Sequence, residues 1–275
     1  MIAPNNNKDL YSGIEFSTWL ESRQLIPAET YLISKYLDPQ LSTVEAGTNG
    51  GRILLGMQDM GFKNLSGFDY IPELIDKAIE QDLTGTIDFQ VQDAIELDYP
   101  DHRFDQIIYL MQMLCTIEDW EDSLKAVKES YRILKPGGVG LFSVLSFETR
   151  SLRTIFSIYY RYLKLLRKLR GDRRSIQRSP WLRRNGKFNL GSISDRPPYT
   201  YWYRITEIYE LLTSVGFEIV GIGTDLQVSV GNLKHTDLEL LDEEIGGGIY
   251  IVVKKSLWIM GRNQATAYFF SHQVV

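Results

Sequence analysis

The stretch "STVEAGTNGGRILLGMQDMGF", residues 42–62, places a short apolar strand directly before a glycine-rich turn and a run with helical spacing. Together with Leu41 before it, the start of this stretch, "LSTVEAG", predicts a strand, and "RILLGMQDM" predicts a buried helix that ends at Gly61. A turn built from Gly47, Gly50 and Gly51 lets the backbone approach a ligand closely, and the start of the next helix offers free N–H groups. Because nucleotide and nucleoside cofactors both bind at such turns, the turn predicts a ligand site without identifying the ligand.

Strands and helices alternate along the rest of the chain. Further strands are predicted at "NLSGFDY", "IDFQVQD", "RFDQIIYLMQM", "VGLFSVLS", "FEIVGIG" and "GGIYIVVKK". Helices are predicted at "PAETYLISKYL", "PELIDKAIEQ", "WEDSLKAVKESYRIL" and "RITEIYELLTSV". In "KPGG", Pro136 cannot continue a helix and the glycines permit a left-handed turn, so the third of these helices is predicted to end there. The alternation predicts a doubly wound α/β sheet of seven strands.

The composition is typical of a soluble protein of a reducing compartment. With 44% hydrophobic and 24% charged residues, the 275-residue chain can bury a full core and is predicted to be one domain with additions. Its single cysteine, Cys115, excludes an internal disulfide and a cysteine-based zinc cluster. The N-terminus has no basic start with an apolar stretch, and no run approaches the ~18 apolar residues of a membrane span. We predict a cytoplasmic protein without a bound metal.

The charge pattern of the glycine turn favours a cationic cofactor. Counted from Gly47, the dinucleotide fingerprint G-x-G-x-x-G needs glycines where this chain has Asn49 and Arg52. The strand also ends in an acid, Glu45, two residues before Gly47. A carboxylate at that position suits an ammonium group better than a pyrophosphate.

Five motifs resemble those of the class I S-adenosylmethionine-dependent methyltransferases, in that family's order and spacing. "VEAGTNGG" resembles the acid-x-Gly-x-Gly-x-Gly turn, and "GFDYIPELIDKA" and "VQDA" resemble the second and third motifs. "FDQIIYL" and "LKPGGVGLFSV" resemble the fourth strand and the turn before the fifth. The resemblance covers residues 44–144 and, with the last strand pair, reaches residue 254. It implies S-adenosylmethionine as the cofactor and a Rossmann-like methyltransferase fold, mostly parallel, with an antiparallel last strand.

The resemblance also implies a set of cofactor-binding residues. Glu45 would approach the methionine amino end, with backbone room at Gly47 and Gly51, and Asp69 would accept both ribose hydroxyls as an ionised carboxylate. The others are Tyr70 after Asp69, Asp93 for the adenine amino group, Ala94 beside it, and Leu110 and Met111 beside the sulfonium. Asn49 stands where the family usually has glycine, and asparagine tolerates the left-handed conformation well. The alternatives are that Asp69 and Asp93 cap helices and that Glu45 is a solvated acid.

We predict five segments on this basis. Residues 1–40 form an N-terminal helical cap, and residues 41–148 form the cofactor-binding half of the Rossmann-like domain. Residues 149–203 form a basic and aromatic insertion after the fifth strand, called the lid below. Residues 204–255 complete the domain with a helix and the last strand pair, and the tail 256–275 has no predicted role.

The sequence offers no catalytic base by resemblance. Many relatives carry histidines after the fourth strand, where this chain has Leu114 and Cys115. His235, in the long loop between the last two strands, is predicted to assist a hydroxyl acceptor as general base, with a solvated loop histidine as the alternative. Glu118 and Asp119 are rival bases that also fit the first turn of the next helix. Cys115 is predicted to be a small buried hydrophobe rather than a nucleophile.

The lid is predicted to cover the cofactor and bind the acceptor. Its segments "SPWLRRNGKFN" and "RPPYTYWYR" combine aromatic and arginine residues, which suit stacking on a ring and pairing with an anion. The alternative is that these aromatics close a small core of the lid itself.

A basic helix is predicted at the start of the lid. Residues 150–187 hold 13 Lys and Arg against the single acid Asp172, a balance of +12 in a chain whose net charge is -5. Over residues 149–174, apolar residues fall on one side of a helical projection and basic residues, including Arg167, on the other. This helix either packs its apolar face on the protein or lies on an anionic membrane surface.

Three functions remain open from the sequence. The first is a methyltransferase for an oxygen or nitrogen atom of a small-molecule, sugar-linked or lipid-linked metabolite. The second is an RNA methyltransferase, and the third is a non-catalytic binding protein with the same fold. The intact set of carboxylates disfavours the third function. Because the chain outside the basic segment is acidic and contains no recognisable RNA-binding module, the metabolite is favoured over nucleic acid.

Overall fold

A seven-stranded sheet forms the centre of the protein. The computed structural model describes residues 24–117, 119–184 and 187–257. The strands are β1 (Ser42–Ala46), β2 (Asn64–Asp69), β3 (Asp88–Val91), β4 (Phe104–Tyr109), β5 (Leu134–Leu145), β6 (Phe217–Thr224) and β7 (Gly248–Lys255). Their order is β6-β7-β5-β4-β1-β2-β3, and β7 runs antiparallel to both neighbours. The predicted doubly wound sheet with an antiparallel last strand is confirmed.

Helices cover both faces of this sheet. They are α1 (Pro27–Tyr36), α2 (Arg52–Asp59), α3 (Pro72–Gln81), α4 (Trp120–Ile133), α5 (Phe147–Ser151), α6 (Thr154–Arg170), α7 (Ile205–Val215), α8 (Asp225–Ser229) and α9 (Asp237–Leu241). Ile107 of β4 faces the core under α4 and α7, whereas the next residue, Ile108, faces the core under α1 and α2. Burial on both faces explains why β4 is apolar without alternation.

The "KPGG" segment differs from its predicted role. Helix α4 ends at Ile133, three residues before Pro136, and β5 already begins at Leu134. The register between β4 and β5 shifts at this point, because Phe104 pairs with Leu134 whereas Gln106 pairs with Val139. The glycines therefore form an irregular start of the strand rather than the end of the helix.

The lid leaves the sheet after β5 and returns to it beside the same point. The Phe147 N–H donates to the Tyr203 carbonyl at 2.8 Å, and the Tyr203 N–H donates to the Leu145 carbonyl at 2.9 Å. Between these points, Arg178–Pro180 pairs with Tyr199–Tyr201. Phe147, Tyr160 and Leu163 form a core of this region, against which Trp202 packs. Part of the lid's aromatic content thus packs internally, as the alternative interpretation supposed.

The basic amphipathic helix predicted over residues 149–174 is wrong in two respects. The chain forms two helices, α5 and α6, separated at residues 152–153. Arg167, predicted on the solvated basic face, is buried and bonds to both carboxylate oxygens of Asp195 at 2.7 and 2.8 Å. Because Leu163 and Arg167 face the lid core, the apolar side chains of Ile155 and Leu169 point outward and are exposed.

Candidate cofactor and acceptor site

The turn after β1 has the close backbone packing that its glycines predict. Gly47 adopts a φ of +64°, and a Cβ on it would lie 2.8 Å from Met113 Cγ. Gly51, at the start of α2, has a φ of +81°, and a Cβ there would lie 2.9 Å from Phe89 Cζ. Asn49 takes the left-handed conformation with a φ of +49°, and its side-chain amide donates to the Gly47 carbonyl at 3.1 Å. Asn49 therefore adopts the left-handed conformation that glycine takes readily, at the position where a glycine was expected.

Asp69 links this turn to the loop that follows β2. Its Oδ2 accepts the Asn49 N–H and its Oδ1 accepts the Ile71 N–H, both at 3.1 Å. The side chain is buried, and burial raises its pKa to about 6 although the backbone bonds oppose this shift. The Tyr70 backbone N–H also bonds to this carboxylate, and because an ionised carboxylate can accept several hydrogen bonds, it keeps capacity for ligand hydroxyls.

Glu45 is a buried acid at the end of β1. Its carboxyl group accepts the Thr48 hydroxyl at 2.7 Å and makes no ion pair within the described residues. Burial raises its pKa to about 8, against the effects of the Thr48 hydrogen bond and the nearby Arg52 guanidinium. A solvated loop acid, the alternative considered above, does not match this environment. A cationic group bound beside Glu45 would favour its ionised form.

Arg52 fastens the N-terminal helix to the glycine turn. Its guanidinium forms two hydrogen bonds with Glu29 of α1, at 2.6 and 2.8 Å, and a third with the Gln24 carbonyl at 2.9 Å. Both charged side chains are buried. In the sequence, Arg52 is notable only because it occupies the last glycine position of the dinucleotide fingerprint. Its pairing with Glu29 was missed, because nothing in the local pattern connects the two residues.

The other predicted cofactor residues lie along the same edge of the sheet. Tyr70 is half-buried between Asp69 and the start of α3. Asp93 is exposed in the turn after β3, where its Oδ1 accepts the Ile95 N–H at 3.2 Å, and Ala94 beside it is buried. Because β1, β2 and β3 are parallel neighbours, the segments after their carboxyl ends lie side by side.

The segment after β4 has a strained backbone. Leu110 is buried, whereas Met111 and Gln112 adopt φ angles of +53° and +57°. Left-handed conformations of residues other than glycine cost about 1–3 kcal/mol each and cluster at functional sites. The segment continues into the 3₁₀ helix Met113–Thr116, whose Met113 side chain covers Gly47.

His235 lies apart from these residues. Its neighbour Lys234 exchanges two backbone hydrogen bonds with Ile222, at 2.7 and 2.8 Å, on the outer side of the edge strand β6. Strand β6 is three places from β4 in the sheet, a separation of roughly 14 Å. The His235 side chain is exposed, and its backbone N–H donates to Glu239 Oε2 at 2.9 Å.

The rival bases do not join the site either. Asp119 caps α4, since its Oδ1 accepts the Glu121 N–H at 2.8 Å, and Glu118 lies outside the described residues. The Cys115 sulfur is buried and accepts the Leu145 N–H at 3.2 Å. Burial raises the pKa of this thiol to about 12, so it stays protonated near neutral pH. Cys115 has the environment of the buried hydrophobe that was predicted.

A cavity of about 690 Å³ opens between the end of β5 and the lid. Its volume falls in the range of small-molecule sites. Apolar side chains form much of its wall, and the lining residues are Leu145, Thr149, Arg150, Arg153, Phe156, Ser179, Pro180, Trp181, Leu182, Arg183, Thr200, Trp202, Gly247 and Gly248. The predicted arginine and aromatic segments therefore contribute Trp181, Arg183 and Trp202 to one cavity. Arg150 was missed as a site residue, because in the sequence it is one charge among many in a basic run.

Comparison with known proteins finds a methyltransferase domain in the first half of the chain. Residues 44–142 match a family model described as a methyltransferase domain. Two chloroplastic 2-methyl-6-phytyl-1,4-hydroquinone methyltransferases of Oryza sativa subsp. japonica are 29% and 30% identical over 125 residues, or 44% of this chain. The chain spans only about a third of the length of these curated relatives, 33% and 35%. Residues 44–142 therefore match the methyltransferase domain family, and the cofactor that this match implies is S-adenosylmethionine.

Solved structures agree on the fold. A crystal structure of an S-adenosylmethionine-dependent methyltransferase from Methanosarcina mazei matches with a TM-score of 0.63 and 21% identity, over 86% of this chain and 100% of that one. The cyclase SpnF matches with a TM-score of 0.53 and 16% identity, over 84% of this chain and 81% of that one. At these identities the similarity shows the fold alone. SpnF has this fold but is named as a cyclase, so the fold does not define the reaction.

The residues at the turn fit this cofactor. The left-handed φ of Gly47 favours glycine, so the turn presents backbone rather than a side chain at this position. Glu45 is a buried acid without an ion-pair partner in the described residues, which suits an ammonium group. Asp69 keeps acceptor capacity for hydroxyl groups. Across the same described ranges, no cluster of residues suited to a metal ion is found, and no helix is long and apolar enough to cross a membrane.

Proposed function

We propose that this protein transfers a methyl group from S-adenosylmethionine to an oxygen or nitrogen atom of a small-molecule, sugar-linked or lipid-linked acceptor. The observation that carries the proposal is the pair of buried acids, Glu45 and Asp69, at one glycine turn. Both have raised pKa values. Burying two carboxyl groups is unfavourable, and a ligand that offers an ammonium and two hydroxyls offsets this cost.

The proposed roles follow the order of the strands. Glu45 holds the amino group of the cofactor, Asp69 holds the ribose, and Asp93 holds the adenine amino group. Gly47, Asn49, Gly51, Tyr70, Ala94, Leu110 and Met111 complete the surface around the cofactor. When bound, the cofactor supplies a sulfonium methyl that is already electrophilic. The chain then needs mainly to position the acceptor and to exclude water.

The cavity under the lid is the proposed acceptor site. It lies beside Leu145 at the carboxyl end of β5, the strand that pairs with β4. The packing of Tyr199–Tyr201 against the 3₁₀ helix Met113–Thr116 supports this location, because that helix also covers Gly47. The rice proteins are named for an aromatic hydroquinone acceptor, and the aromatic wall of this cavity is compatible with a ring.

RNA is the less favoured acceptor. Several basic groups of the lid are engaged within the protein, since Arg167 pairs with Asp195 and Arg174 pairs with Asp172. These pairs reduce the positive charge that remains for phosphates. Filter binding with RNA over a range of salt concentrations tests this choice, because tight, salt-dependent binding would favour RNA over a metabolite.

Cofactor binding is tested by calorimetry with S-adenosylhomocysteine. Asp69→Asn removes the charge that accepts two ribose hydroxyls, and each bond to a charged group contributes about 1.5–3 kcal/mol, so affinity should fall at least tenfold. Asp76→Asn, on the exposed face of α3, is the matched control and should bind like the parent. Equal affinity of Asp69→Asn and the parent would remove Asp69 from the site.

Methyl transfer needs an assay separate from cofactor binding, because the cyclase SpnF has a similar fold. Incubation with methyl-labelled cofactor and fractionated cell extract should label a small molecule. A parent protein that binds the cofactor but labels no fraction would support the non-catalytic alternative. His235→Ala belongs in the same assay, and its full activity would exclude His235 as the base.

The lid also carries a surface that suits an anionic membrane. Five apolar side chains of α6, here called the apolar stripe, follow one another at spacings of three and four residues: Ile155, Ile158, Tyr162, Leu165 and Leu169. Each is at least 42% exposed. The stripe continues onto Ile193, because Tyr162 donates a hydrogen bond to the Ile193 carbonyl at 2.7 Å.

Basic residues complete this surface. Arg161, Lys164 and Lys168 are exposed along one flank of the apolar stripe. Apolar insertion together with charge attraction is how amphipathic helices bind anionic bilayers. The proposed occupant is therefore an anionic lipid surface, which would bring the cavity close to a lipid-linked acceptor.

Vesicle sedimentation tests this contact. Binding should require phosphatidylserine in phosphatidylcholine vesicles and should weaken with salt. Leu165→Glu in the apolar stripe should abolish it, whereas Leu238→Glu, at a leucine of α9 that is also exposed, should not. Absence of binding at low salt would exclude the membrane, and a dimer that Leu165→Glu dissociates would assign the stripe to a second copy.

A further inference from the structure

Arg150 is a buried arginine without a carboxylate partner. The described residues include three buried arginines, Arg52, Arg150 and Arg167, and each is at most 8% exposed. Arg52 pairs with Glu29 and Arg167 with Asp195, both at 2.7 Å or closer. Arg150 makes no ion pair within the described chain, and burial lowers its pKa. A buried guanidinium is normally neutralised, so the missing anion calls for an explanation.

Aromatic rings, rather than acids, surround the guanidinium. Its Cζ lies 4.0 Å from the centre of the Trp202 ring, 4.7 Å from that of Phe156 and 5.6 Å from that of Tyr160. These contacts orient the group but leave its hydrogen-bonding capacity unused. Within the described residues, the Arg150 side chain makes a single long hydrogen bond, 3.4 Å, to the Ser179 hydroxyl, and its Nε has no partner.

Other polar groups of the same wall are also unsatisfied. The Thr149 hydroxyl and the Trp202 indole N–H are buried without a hydrogen-bond partner in the described structure. Arg150, Thr149 and Trp202 all line the cavity of about 690 Å³. Each of them can donate a hydrogen bond, and buried donors are costly when left unpaired. The wall of the cavity therefore contains a charged residue, Arg150, whose guanidinium has few protein partners, beside two further residues that carry donor groups.

The rest of the cavity is consistent with such a ligand. Arg153 and Arg183 add two more positive charges at its exposed part, and none of its described lining residues is acidic. Leu145, Phe156 and Trp181 supply an apolar surface. The nearby acid Asp225, which is not a lining residue, accepts the Gly248 N–H through its Oδ2 at 2.8 Å.

We propose that Arg150 binds an oxyanion, a carboxylate or a phosphate, carried by the methyl acceptor, while the aromatic wall of the cavity holds an apolar or ring-shaped body. This inference rests on the proposed function, because it takes the cavity as the acceptor site. It narrows the acceptor to amphipathic organic anions. Planar, bidentate recognition of oxyanions is the chemistry for which arginine is preferred over lysine.

Calorimetry with matched probes tests the proposal on the full chain without cofactor. The probes are 2-naphthoate, which joins a ring to a carboxylate, 2-naphthyl phosphate, and the neutral 2-naphthamide. The parent should bind at least one of the two anions tenfold or more tightly than the amide, since only the anions satisfy the guanidinium. Which anion binds more tightly separates carboxylate from phosphate acceptors. Equal affinity for all three probes would overturn the proposal without any substitution.

Variants assign the discrimination to Arg150. Arg150→Gln should lower anion affinity to that of the amide, and Arg150→Lys should retain part of the preference. Arg196→Gln, an exposed arginine of the lid outside the cavity lining, is the matched control and should behave like the parent. An undiminished preference for the anion in Arg150→Gln would overturn the assignment.

A second titration separates this inference from the proposed function. S-adenosylhomocysteine affinity should be unchanged in Arg150→Gln, because Arg150 belongs to the lid and not to the glycine turn. A parent that discriminates the anions but does not bind S-adenosylhomocysteine would contradict the proposed function alone. A parent that binds S-adenosylhomocysteine but does not discriminate the probes would contradict the anion site alone.

Discussion

The backbone N–H of Asn49 donates a hydrogen bond to Asp69 Oδ2 at 3.1 Å, so the acid that ends β2 holds the turn that follows β1. The second oxygen of Asp69 holds Ile71 at the start of the next helix. One buried carboxylate thus fixes two segments of the proposed cofactor site. Because its pKa is raised to about 6, the charge of this group changes within an accessible pH range.

Ribose binding should therefore weaken in acid. The ionised form of Asp69 accepts hydroxyl groups better than the protonated form, so affinity should decrease as the pH falls through about 6. Below that pH the loss approaches roughly tenfold per pH unit, as expected for one linked proton. Calorimetry with adenosine, which has the ribose without an amino acid part, measures it. Asp69→Asn should give weak binding without this pH dependence, and a parent profile that is flat around pH 6 would contradict the role of Asp69.

Glu45 should make the ligand-free protein less stable in base. Its folded-state pKa of about 8 lies above its ordinary value of 4.5, so the native state binds the proton more tightly than the unfolded state. The stability contribution is complete below pH 4.5 and is lost as the pH rises to about 8. The loss amounts to about 1.4 kcal/mol per pH unit where the two states differ by a full proton.

Urea unfolding of Glu45→Gln measures this effect. Between about pH 6 and about pH 8, the free energy of unfolding should fall less in Glu45→Gln than in the parent. Glu73→Gln, an exposed acid of α3, should follow the parent. The same Glu45→Gln variant should bind S-adenosylhomocysteine more weakly, because it cannot pair with an ammonium group. Parallel pH profiles for Glu45→Gln and the parent would show that Glu45 is already ionised.

Gly47 should tolerate alanine less well than a glycine with similar backbone strain. Gly61 has a φ of +92°, and a Cβ there would meet no described atom within 4 Å beyond its chain neighbours. Gly61→Ala therefore measures the backbone cost alone, about 1 kcal/mol. Gly47→Ala adds the contact with Met113 Cγ at 2.8 Å and should cost more. Thermal unfolding compares the two variants. Met113→Ala should relieve the excess in a double variant, and equal costs for both glycines would argue against close packing at Gly47.

The pair formed by Arg167 and Asp195 should stabilise the lid. Asp195→Asn leaves a buried guanidinium without its counter-charge, which costs about 3–5 kcal/mol for such pairs. Limited proteolysis should therefore cut the lid of this variant much faster than that of the parent. Asp172→Asn, which breaks the more exposed pair with Arg174, should cost less than about 1 kcal/mol. Similar cutting rates in both variants would show that the buried pair stabilises the lid no more than the exposed pair does.

The succession of strands and helices from the glycine turn onward was predictable because local signals recur there. The first strand ends in the glycine turn, the second and third end near Asp69 and Asp93, and the helix beginning at Pro72 has its start fixed by that residue. The left-handed conformation of Asn49 was also foreseen from its residue type. The irregular start of β5 was not, because a proline and two glycines signal a turn in either element, and only the pairing with β4 decides between them.

The lid was predicted in outline and missed in detail. A helical projection separates apolar from charged residues, and it assumes that apolar residues face inward. Arg167 is nevertheless buried because Asp195, 28 residues away, neutralises it. The burial of Arg150 beneath Trp202 likewise depends on a contact across the lid. Long-range pairs of this kind leave no periodic signal in the sequence.

The hydrogen bonds that join Leu145, Phe147 and Tyr203 close the base of the lid, so the chain enters and leaves it at neighbouring points. An insertion with adjacent ends can be exchanged for another of different length while the sheet keeps its register. Replacement of the lid alone can then change which acceptor is bound, while the cofactor-binding half of the domain stays the same. A chimera that receives the corresponding lid of a relative should retain cofactor binding and acquire the acceptor preference of its donor.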